Sequence, residues 1–130
     1  MIVLDASAMV EALVGAAPSD ELLGLLEGDL HAPHLLDVEV MSVLRGLELG
    51  RAIPPARAEQ ALDDYWSFGI ERYDLEPLGG RIWELRHQFT SYDASYLALA
   101  EALRAPVVTC DRKLRTGGHR ADIRLMSGTT

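Results

Sequence analysis

Short apolar runs rich in β-branched residues recur along the chain, each bounded by polar or turn-forming residues. Runs of this length are typical of buried strands, whereas apolar positions spaced three and four residues apart predict helices. The pattern predicts strands over residues 2–5, 30–32, 70–75, 107–109 and 123–126. It predicts helices over residues 7–14, 19–26, 36–49, 54–68, 81–89 and 91–103.

Strands therefore alternate with helices, and the connections between them are too long for hairpins. This order predicts an α/β fold in which helices cover a parallel sheet. In such sheets ligands bind beyond the carboxyl ends of the strands. Asp5 and Asp111 lie at the carboxyl ends of two predicted strands, so both are candidates for that edge. A chain of 130 residues is expected to form one domain, residues 1–130.

A third candidate acid, Glu39, lies in the helical segment APHLLDVEVMSVLRGLELG. At 100° per residue, Asp37, Arg45 and Glu48 share one side of the helix, and Glu39 falls nearly opposite, on an otherwise apolar face. A buried carboxylate without a partner there would carry a large desolvation cost or take up a proton. Pairing with a buried arginine, or a helix that is less buried than the pattern suggests, would explain Glu39 equally well.

The fourth candidate, Asp93, begins the most apolar helix of the chain, which reads YDASYLALAEAL and is expected to be central and buried. Thr90 and Asp93 also fit the capping-box pattern at a helix start. Asp5 and Asp111 could likewise cap the segments that follow them. Each acid taken alone is compatible with a structural role, whereas four acids converging on one cleft indicate chemistry.

The composition is that of an ordinary globular protein, with 48% hydrophobic and 25% charged residues. No apolar run approaches the roughly 18 residues of a membrane span, and no basic region precedes the first strand as in a signal peptide. The single cysteine excludes an internal disulfide. These features predict a cytoplasmic protein that does not enter the membrane.

The net charge of −8 disfavours nucleic acid as a partner unless cations intervene, although residues 104–130 carry six basic and two acidic side chains. Carboxylates about 4 Å apart repel by on the order of 4 kcal/mol per pair at an effective dielectric constant near 20. Four of them in one cleft therefore stay ionised only around bound cations. Oxygen ligands favour Mg²⁺ or Mn²⁺, and such sites serve phosphodiester hydrolysis.

Four segments resemble, in order, the motifs of the PIN-domain ribonucleases, and within them the VapC-type toxins of bacterial toxin–antitoxin systems. They are MIVLDASAMVEAL, APHLLDVEVMSVLRGL, YDASYLALAEAL and VVTCDRKL, and the resemblance spans residues 1–114. Residues 50–90 carry no matching motif.

The resemblance implies a three-layer α/β/α fold and a Mg²⁺- or Mn²⁺-dependent endoribonuclease with a metal cluster formed by Asp5, Glu39, Asp93 and Asp111. Ser7 and Thr109 would orient those carboxylates by hydrogen bonding. Basic side chains near the C-terminal end would position RNA phosphates, or would simply form a solvated basic face: Arg112, Lys113, Arg115, His119 and Arg120.

The resemblance also implies inhibition by a VapB-like antitoxin and a homodimer within a larger hetero-oligomer. The antitoxin would supply the DNA-binding domain, so no sequence-specific DNA binding is expected from this chain alone. Two alternatives stay open. One is a PIN fold that binds or scaffolds without catalysis. The other is a phosphoaspartyl receiver or phosphatase, although Asp5-Ala6-Ser7 is not D-x-D and the only lysine, Lys113, follows an acid.

Overall fold

A computed structural model of the chain describes residues 1–129. Within these residues one sheet has five strands in the order β3-β2-β1-β4-β5, and all neighbouring strands are parallel. The predicted parallel sheet and each of its predicted strands are confirmed. The strands are β1 (Ile2–Leu4), β2 (Leu30–Pro33), β3 (Ile70–Tyr73), β4 (Val107–Thr109) and β5 (Ile123–Leu125).

The strand order reverses at β1, because β2 and β3 lie on one side of it while β4 and β5 lie on the other. The central strands β1 and β4 have the sequences IVL and VVT and are fully buried, as expected of strands covered on both faces. Their carboxyl ends lie side by side, with Leu4 in register with Val108. This is the topological switch point at which parallel sheets bind ligands.

Helices follow the predicted ranges closely, with one exception. They are α1 (Ala6–Val14), α2 (Asp20–Leu25), α3 (Leu35–Leu49), α4 (Pro55–Ser67), α5 (Gly79–Glu84) and α6 (Ser91–Leu103). The prediction of one helix over residues 81–89 is wrong, since α5 ends at Glu84 and a 3₁₀ turn, Leu85–His87, follows. Further 3₁₀ turns span Glu76–Leu78 and Arg112–Arg115.

Helix α6 is buried on nearly every side, as its apolar sequence predicts. All residues from Ala94 to Ala100 are buried, and the helix contacts β1, β2, β4 and α5. On the other side of the sheet α1 contacts β4 and packs against α3 and α4. The resulting arrangement of helices around a central parallel sheet confirms the three-layer architecture. Helix α6 therefore carries its first turn, and with it Asp93, to the carboxyl edge of the sheet.

A polar cluster on the far side of α3 fixes the orientation of that helix. Asp37 accepts a hydrogen bond from the Tyr65 hydroxyl at 2.5 Å, and the Arg72 Nε lies 3.0 Å from each Asp37 oxygen. These contacts join α3 to α4 and β3. They satisfy the buried hydroxyl of Tyr65, whose pKa is raised first by burial and then by Asp37. Glu39, two residues further along α3, is thereby turned away from this cluster.

No helix among residues 1–129 combines the length and the apolar character needed to cross a lipid bilayer.

Candidate active site

A cleft opens at the carboxyl ends of β1 and β4, between the start of α6 and the middle of α3. Its walls include all four acids that the sequence singles out: Asp5, Glu39, Asp93 and Asp111. Ser7, Tyr96, Cys110 and Glu11 also line it. The fold thus brings together carboxylates that are up to 106 positions apart in the sequence.

Asp5 is the most buried of the four acids, with 6% of its surface exposed. It caps α1, because its Oδ1 accepts a hydrogen bond from the Ala8 backbone N–H at 3.0 Å. The Ser7 hydroxyl donates to the same oxygen at 2.7 Å, and the Thr109 hydroxyl donates to Oδ2 at 2.5 Å. The capping role and a position in the cleft therefore coexist in one side chain.

Burial raises the pKa of Asp5 above its ordinary value of 3.8, and the nearby charge of Asp111 raises it further. The hydrogen bonds from Thr109, Ala8 and Ser7 act in the opposite direction and lower the pKa. Burial has the largest effect of these. Asp5 is consequently a carboxylate that is held in a fixed orientation but lacks a neighbouring positive charge strong enough to offset its desolvation.

Ser7 and Thr109 connect the end of β4 to the start of α1. Each hydroxyl gives its only proton to Asp5 and accepts a backbone N–H from the turn after β4. The Cys110 N–H donates to Ser7 Oγ, and the Asp111 N–H donates to Thr109 Oγ1, both at 2.9 Å. The geometry agrees with the orienting role predicted for these two residues, which stays a prediction.

Asp111 and Asp93 lie at the N-terminal ends of helical segments. Asp111 caps the 3₁₀ turn Arg112–Arg115 by accepting the Lys113 N–H at 2.9 Å, and the Thr90 hydroxyl caps α6 by accepting the Asp93 N–H at 3.1 Å. Both capping interpretations are therefore correct as well. Burial raises the pKa of Asp93, the Asp111 charge raises it further, and Lys113 lowers it.

Glu39 faces the cleft and not the core, which corrects the expectation of a buried apolar face. Val43, one turn further along α3, is 40% exposed and lines the same cleft. The Glu39 pKa is raised by burial first and then by the charges of Asp5 and Asp93, while a hydrogen bond from Tyr96 lowers it. Among residues 1–129 no arginine forms an ion pair with Glu39, and the partly buried Arg72 binds Asp37 instead.

Two residues that line the cleft, Tyr96 and Glu11, are not identified by the sequence patterns. The buried Tyr96 hydroxyl donates to Glu39 Oε1 at 2.6 Å, and Glu11 is a fifth carboxyl group in the wall. Tyr96 follows Asp93 by one helical turn in a buried helix, where a tyrosine hydroxyl requires a partner. Glu11 is an acid in the apolar helix ASAMVEALV, which is the same signal that identifies Glu39.

Cys110 lies at the cleft but its thiol is not activated. Burial, followed by the charges of Asp5 and Glu11, raises the Cys110 pKa to about 11. A thiol with that pKa is protonated at neutral pH and is a poor nucleophile and metal ligand. The chemistry of the cleft is therefore that of oxygen atoms.

The predicted RNA-binding residues divide into two groups. Arg112, Lys113 and Arg115 are exposed in the 3₁₀ turn that follows Asp111, and Lys113 Nζ lies 3.7 Å from Asp111 Oδ2. His119 and Arg120 lie in the loop beyond this turn, and their contact with RNA stays a prediction.

The His119 ring accepts the Ala121 N–H at Nδ1 and lies 2.6 Å from the Leu114 carbonyl oxygen at Nε2, so both nitrogens are used within the loop. Arg120 lies against Glu101, with Nη2 3.7 Å from Glu101 Oε1. Glu101 is eight residues after Asp93 on α6, about 12 Å along the axis at 1.5 Å per residue.

The four acids provide oxygen ligands of the kind that a hard divalent cation prefers. Their side chains are not arranged as a complete coordination site. Among residues 1–129, no group of three or more His, Cys, Asp or Glu side chains could hold a metal ion as it stands. Carboxylate oxygens nevertheless suit Mg²⁺, which characteristically keeps several waters in its coordination shell. Burial, with a smaller contribution from neighbouring carboxylates, raises the pKa values of Asp5, Glu39 and Asp93.

Comparison with known proteins identifies the family of the chain. The family model described as "PIN domain" matches residues 2–118. The chain is 41% identical to ribonuclease VapC9 of Mycobacterium tuberculosis over 118 residues, 91% of each chain. It is 36% identical to ribonuclease VapC12 of the same species over 129 residues, which cover 98% of this chain and all of that relative.

Two solved structures have the same fold. PAE2754 from Pyrobaculum aerophilum aligns with a TM-score of 0.69 and 26% identity, covering 94% of this chain and 81% of that one. The structure of VapBC2 from Rickettsia felis bound to a promoter DNA fragment aligns with a TM-score of 0.70 and coverage of 97% and 99%. At 16% identity that second likeness concerns the fold alone. The chain belongs to the PIN-domain family and, within it, to the VapC ribonucleases.

Proposed function

We propose that the protein is an endoribonuclease that hydrolyses RNA phosphodiester bonds with the help of Mg²⁺ or Mn²⁺. The observation that carries this proposal is the convergence of Asp5, Glu39, Asp93 and Asp111 on one cleft at the switch point of the sheet. The relatives named ribonucleases, at 36 and 41% identity over nearly the whole chain, support the same activity.

Each acid has a distinct structural support in this mechanism. Asp5 is oriented by Ser7 and Thr109, Glu39 is held by Tyr96, and Asp93 and Asp111 are fixed by the helical segments that they begin. A divalent cation held by these carboxylates would supply the positive charge that activates water and stabilises the leaving oxygen. Arg112, Lys113 and Arg115, which are exposed in the turn after Asp111, would bind the phosphates that flank the cut.

The direct test is incubation of the purified protein with RNA in Mg²⁺, in Mn²⁺ and in EDTA. We expect cleavage with either ion and none in EDTA. Cleavage that persists undiminished in EDTA would refute the proposed mechanism. Absence of cleavage with every ion, from protein shown to be folded and free of partners, would favour the alternative of a PIN fold that binds without catalysis.

We further propose that the protein is the toxin of a toxin–antitoxin pair in the cytoplasm. Supporting this, one similar solved structure is described as a toxin–antitoxin complex from Klebsiella pneumoniae, with a TM-score of 0.58 and 19% identity. Expression of the protein alone should arrest growth, and co-expression of a VapB-like neighbour gene should relieve the arrest. The purified pair should elute as a hetero-oligomer larger than a dimer.

Replacing Tyr96 by phenylalanine should weaken the proposed ion site. The ring stays in the core, but the donor to Glu39 at 2.6 Å is removed, so this carboxylate gains rotational freedom. Removal of a supporting hydrogen bond typically costs 10–100-fold in metal affinity, and we expect about 10-fold weaker Mn²⁺ binding in an EPR titration. Tyr92→Phe is the matched control, since Tyr92 is 63% exposed on the same helix. Equal Mn²⁺ affinity in both variants would contradict the role of Tyr96.

Alanine at Arg112, Lys113 or Arg115 should weaken RNA binding in a salt-dependent way. Removal of one phosphate-binding charge should reduce the slope of log K against log salt by about 0.7 for a single strand. The measurement is fluorescence anisotropy with labelled RNA over a series of salt concentrations, in an Asp93→Asn background so that the RNA stays intact. Arg45→Ala is the control and should leave the slope unchanged, because Arg45 is exposed on α3 and does not line the cleft. An equal change in slope for Arg45→Ala would argue for a diffuse charge effect.

A further inference from the structure

Glu11 is a buried carboxyl group of the cleft that the proposed mechanism does not use. It lies on α1, one turn after Ser7, and is completely inaccessible to solvent. Its Oε1 accepts a hydrogen bond from the Thr129 backbone N–H at 2.6 Å, and the Thr129 hydroxyl donates to Oε2. A buried carboxyl group is costly unless it is hydrogen-bonded, so this bidentate contact is what makes Glu11 tolerable there.

The contact fixes the segment of residues 126–129, here called the C-terminal strap. The strap follows β5, and its Met126 N–H donates to the carbonyl oxygen of Thr109, the last residue of β4, at 2.7 Å. It ends beside α1, where Thr129 accepts hydrogen bonds from the Ala16 and Ala17 N–H groups at 3.3 and 3.0 Å. Between these ends Gly128 lines the cleft, and a Cβ atom at Gly128 would lie 3.8 Å from Cys110 Cβ.

The end of α1 is built to accommodate this contact. Gly15 follows the helix, and a Cβ atom there would lie 2.3 Å from Glu11 Oε2 and 2.4 Å from the Glu11 carbonyl oxygen. Such distances are far below ordinary contact, so only glycine leaves room for the Glu11 carboxyl group in the orientation that binds Thr129. Gly15, Glu11 and Thr129 thus form a matched set drawn from both ends of the chain.

We propose that Glu11 is a positioning residue that acts through the strap. By fixing Thr129 it holds Gly128 against Cys110 and keeps Met126 bound to Thr109, whose hydroxyl orients Asp5. Loss of the hydrogen bonds to Glu11 releases the wall of the cleft beside Asp111 and loosens the support of Asp5. The effect on cleavage rests on the proposed ribonuclease activity, whereas the fixing of the strap does not.

Two independent measurements test the proposal. Carboxypeptidase digestion followed by mass spectrometry reports whether the strap is fixed, and RNA cleavage reports whether its position matters. We expect Glu11→Ala to lose residues 126–130 at least 10-fold faster than the unsubstituted protein and to cleave RNA about 10-fold more slowly. Glu11→Gln keeps an acceptor for the Thr129 N–H and should restore most of both properties. Glu21→Ala, at an exposed position of α2, is the control and should change neither.

Thr129→Val provides a second route if Glu11→Ala fails to fold. It removes only the hydroxyl, so the strap should be digested faster and cleavage should fall, by less than in Glu11→Ala. Combining Thr129→Val with Glu11→Ala should add nothing, because both act on one contact. Digestion of Thr129→Val and Glu11→Ala at the unsubstituted rate would overturn the proposal.

Faster digestion with unchanged cleavage would also overturn the positioning role, leaving Glu11 as an anchor only. If the unsubstituted protein does not cleave RNA at all, the digestion result still decides whether Glu11 fixes the strap. RNA cleavage by the unsubstituted protein thus tests the proposed function, and the digestion of the variants tests whether Glu11 fixes the strap.

Discussion

Replacing Asp5 by asparagine is expected to lower RNA cleavage by at least about 100-fold while the protein stays folded. Substitutions of residues that merely support a metal ligand already cost 10–100-fold, so loss of a ligand's charge should cost at least the upper end of that range. An amide at position 5 keeps an oxygen for the Ala8 N–H and the Ser7 hydroxyl. Its NH₂ group would face Thr109, whose hydroxyl can rotate to accept it.

The same loss is expected for Asp93→Asn, whose side chain also lines the cleft. Single-turnover cleavage of a defined RNA measures both variants, and circular dichroism checks that each is folded. Asp63→Asn, at an exposed position of α4, is the matched control for removal of one negative charge and should cleave at the full rate. Full activity in Asp5→Asn or Asp93→Asn would exclude that residue from the chemistry.

Without a divalent cation, the stability contributed by the cleft is expected to decrease as the pH rises from about 4 towards neutrality. The pKa values of Asp5, Glu39 and Asp93 are raised above their ordinary values of 3.8, 4.5 and 3.8, first by burial and then by the charges of neighbouring carboxylates. The folded state therefore holds these protons more tightly than the unfolded state. Stability is then greatest below the ordinary pKa values and is lost as the pH rises through the raised ones.

Mg²⁺ or Mn²⁺ should reverse this loss, because it binds the ionised carboxylates of the folded state only. An ion at 100 times its Kd stabilises by about 2.7 kcal/mol, which corresponds to roughly 10 °C in Tm for a chain of this size. Thermal unfolding between pH 5 and pH 8, in EDTA and in Mn²⁺, measures the difference. The difference should grow with pH and should shrink in Asp5→Asn.

Equal Tm values with and without Mn²⁺ at pH 8 would show that the four acids do not bind the ion. The ionisation of Asp29 and Glu101 does not affect this comparison, although the pKa values of both residues are also shifted. Their pKa values are lowered, by His31 and by Arg81 respectively, so their contributions change below the ordinary values of 3.8 and 4.5.

Three of the four acids can be located from the sequence because their positions follow from local rules. A buried strand must end somewhere polar, which places Asp5 and Asp111 at the edge of the sheet. A helix that is apolar all round must begin at something polar, which places Asp93 beside them. Each rule depends on a few neighbouring residues, so no knowledge of distant contacts is needed.

Glu39 shows the limit of such rules. The helical periodicity correctly separates it from Asp37, Arg45 and Glu48, but it does not show that the face of Glu39 borders a cleft. Whether a helix face is covered or open depends on which distant parts of the chain pack against it. The Tyr96 hydroxyl that meets Glu39 is 57 positions away in the chain.

The contacts of His119 and Arg120 cannot be deduced from the local sequence for a related reason. The sequence shows a basic segment, which suggests that all of its charges gather around the cleft. The direction in which a loop turns is decided by partners that are not adjacent in the sequence. For Arg120 that partner is Glu101, which also holds Arg81 at 2.7 Å.

The hydrogen bonds that complete the surroundings of Asp5 reach across almost the whole chain. Thr109 is 104 positions from Asp5, and Thr129 is 118 positions from Glu11. During synthesis the N-terminal strand and its aspartate leave the ribosome long before these late partners are made. A growing polypeptide therefore carries its first acids in an unassembled state, and the cleft with its four carboxylates can form only when translation of the message is nearly finished.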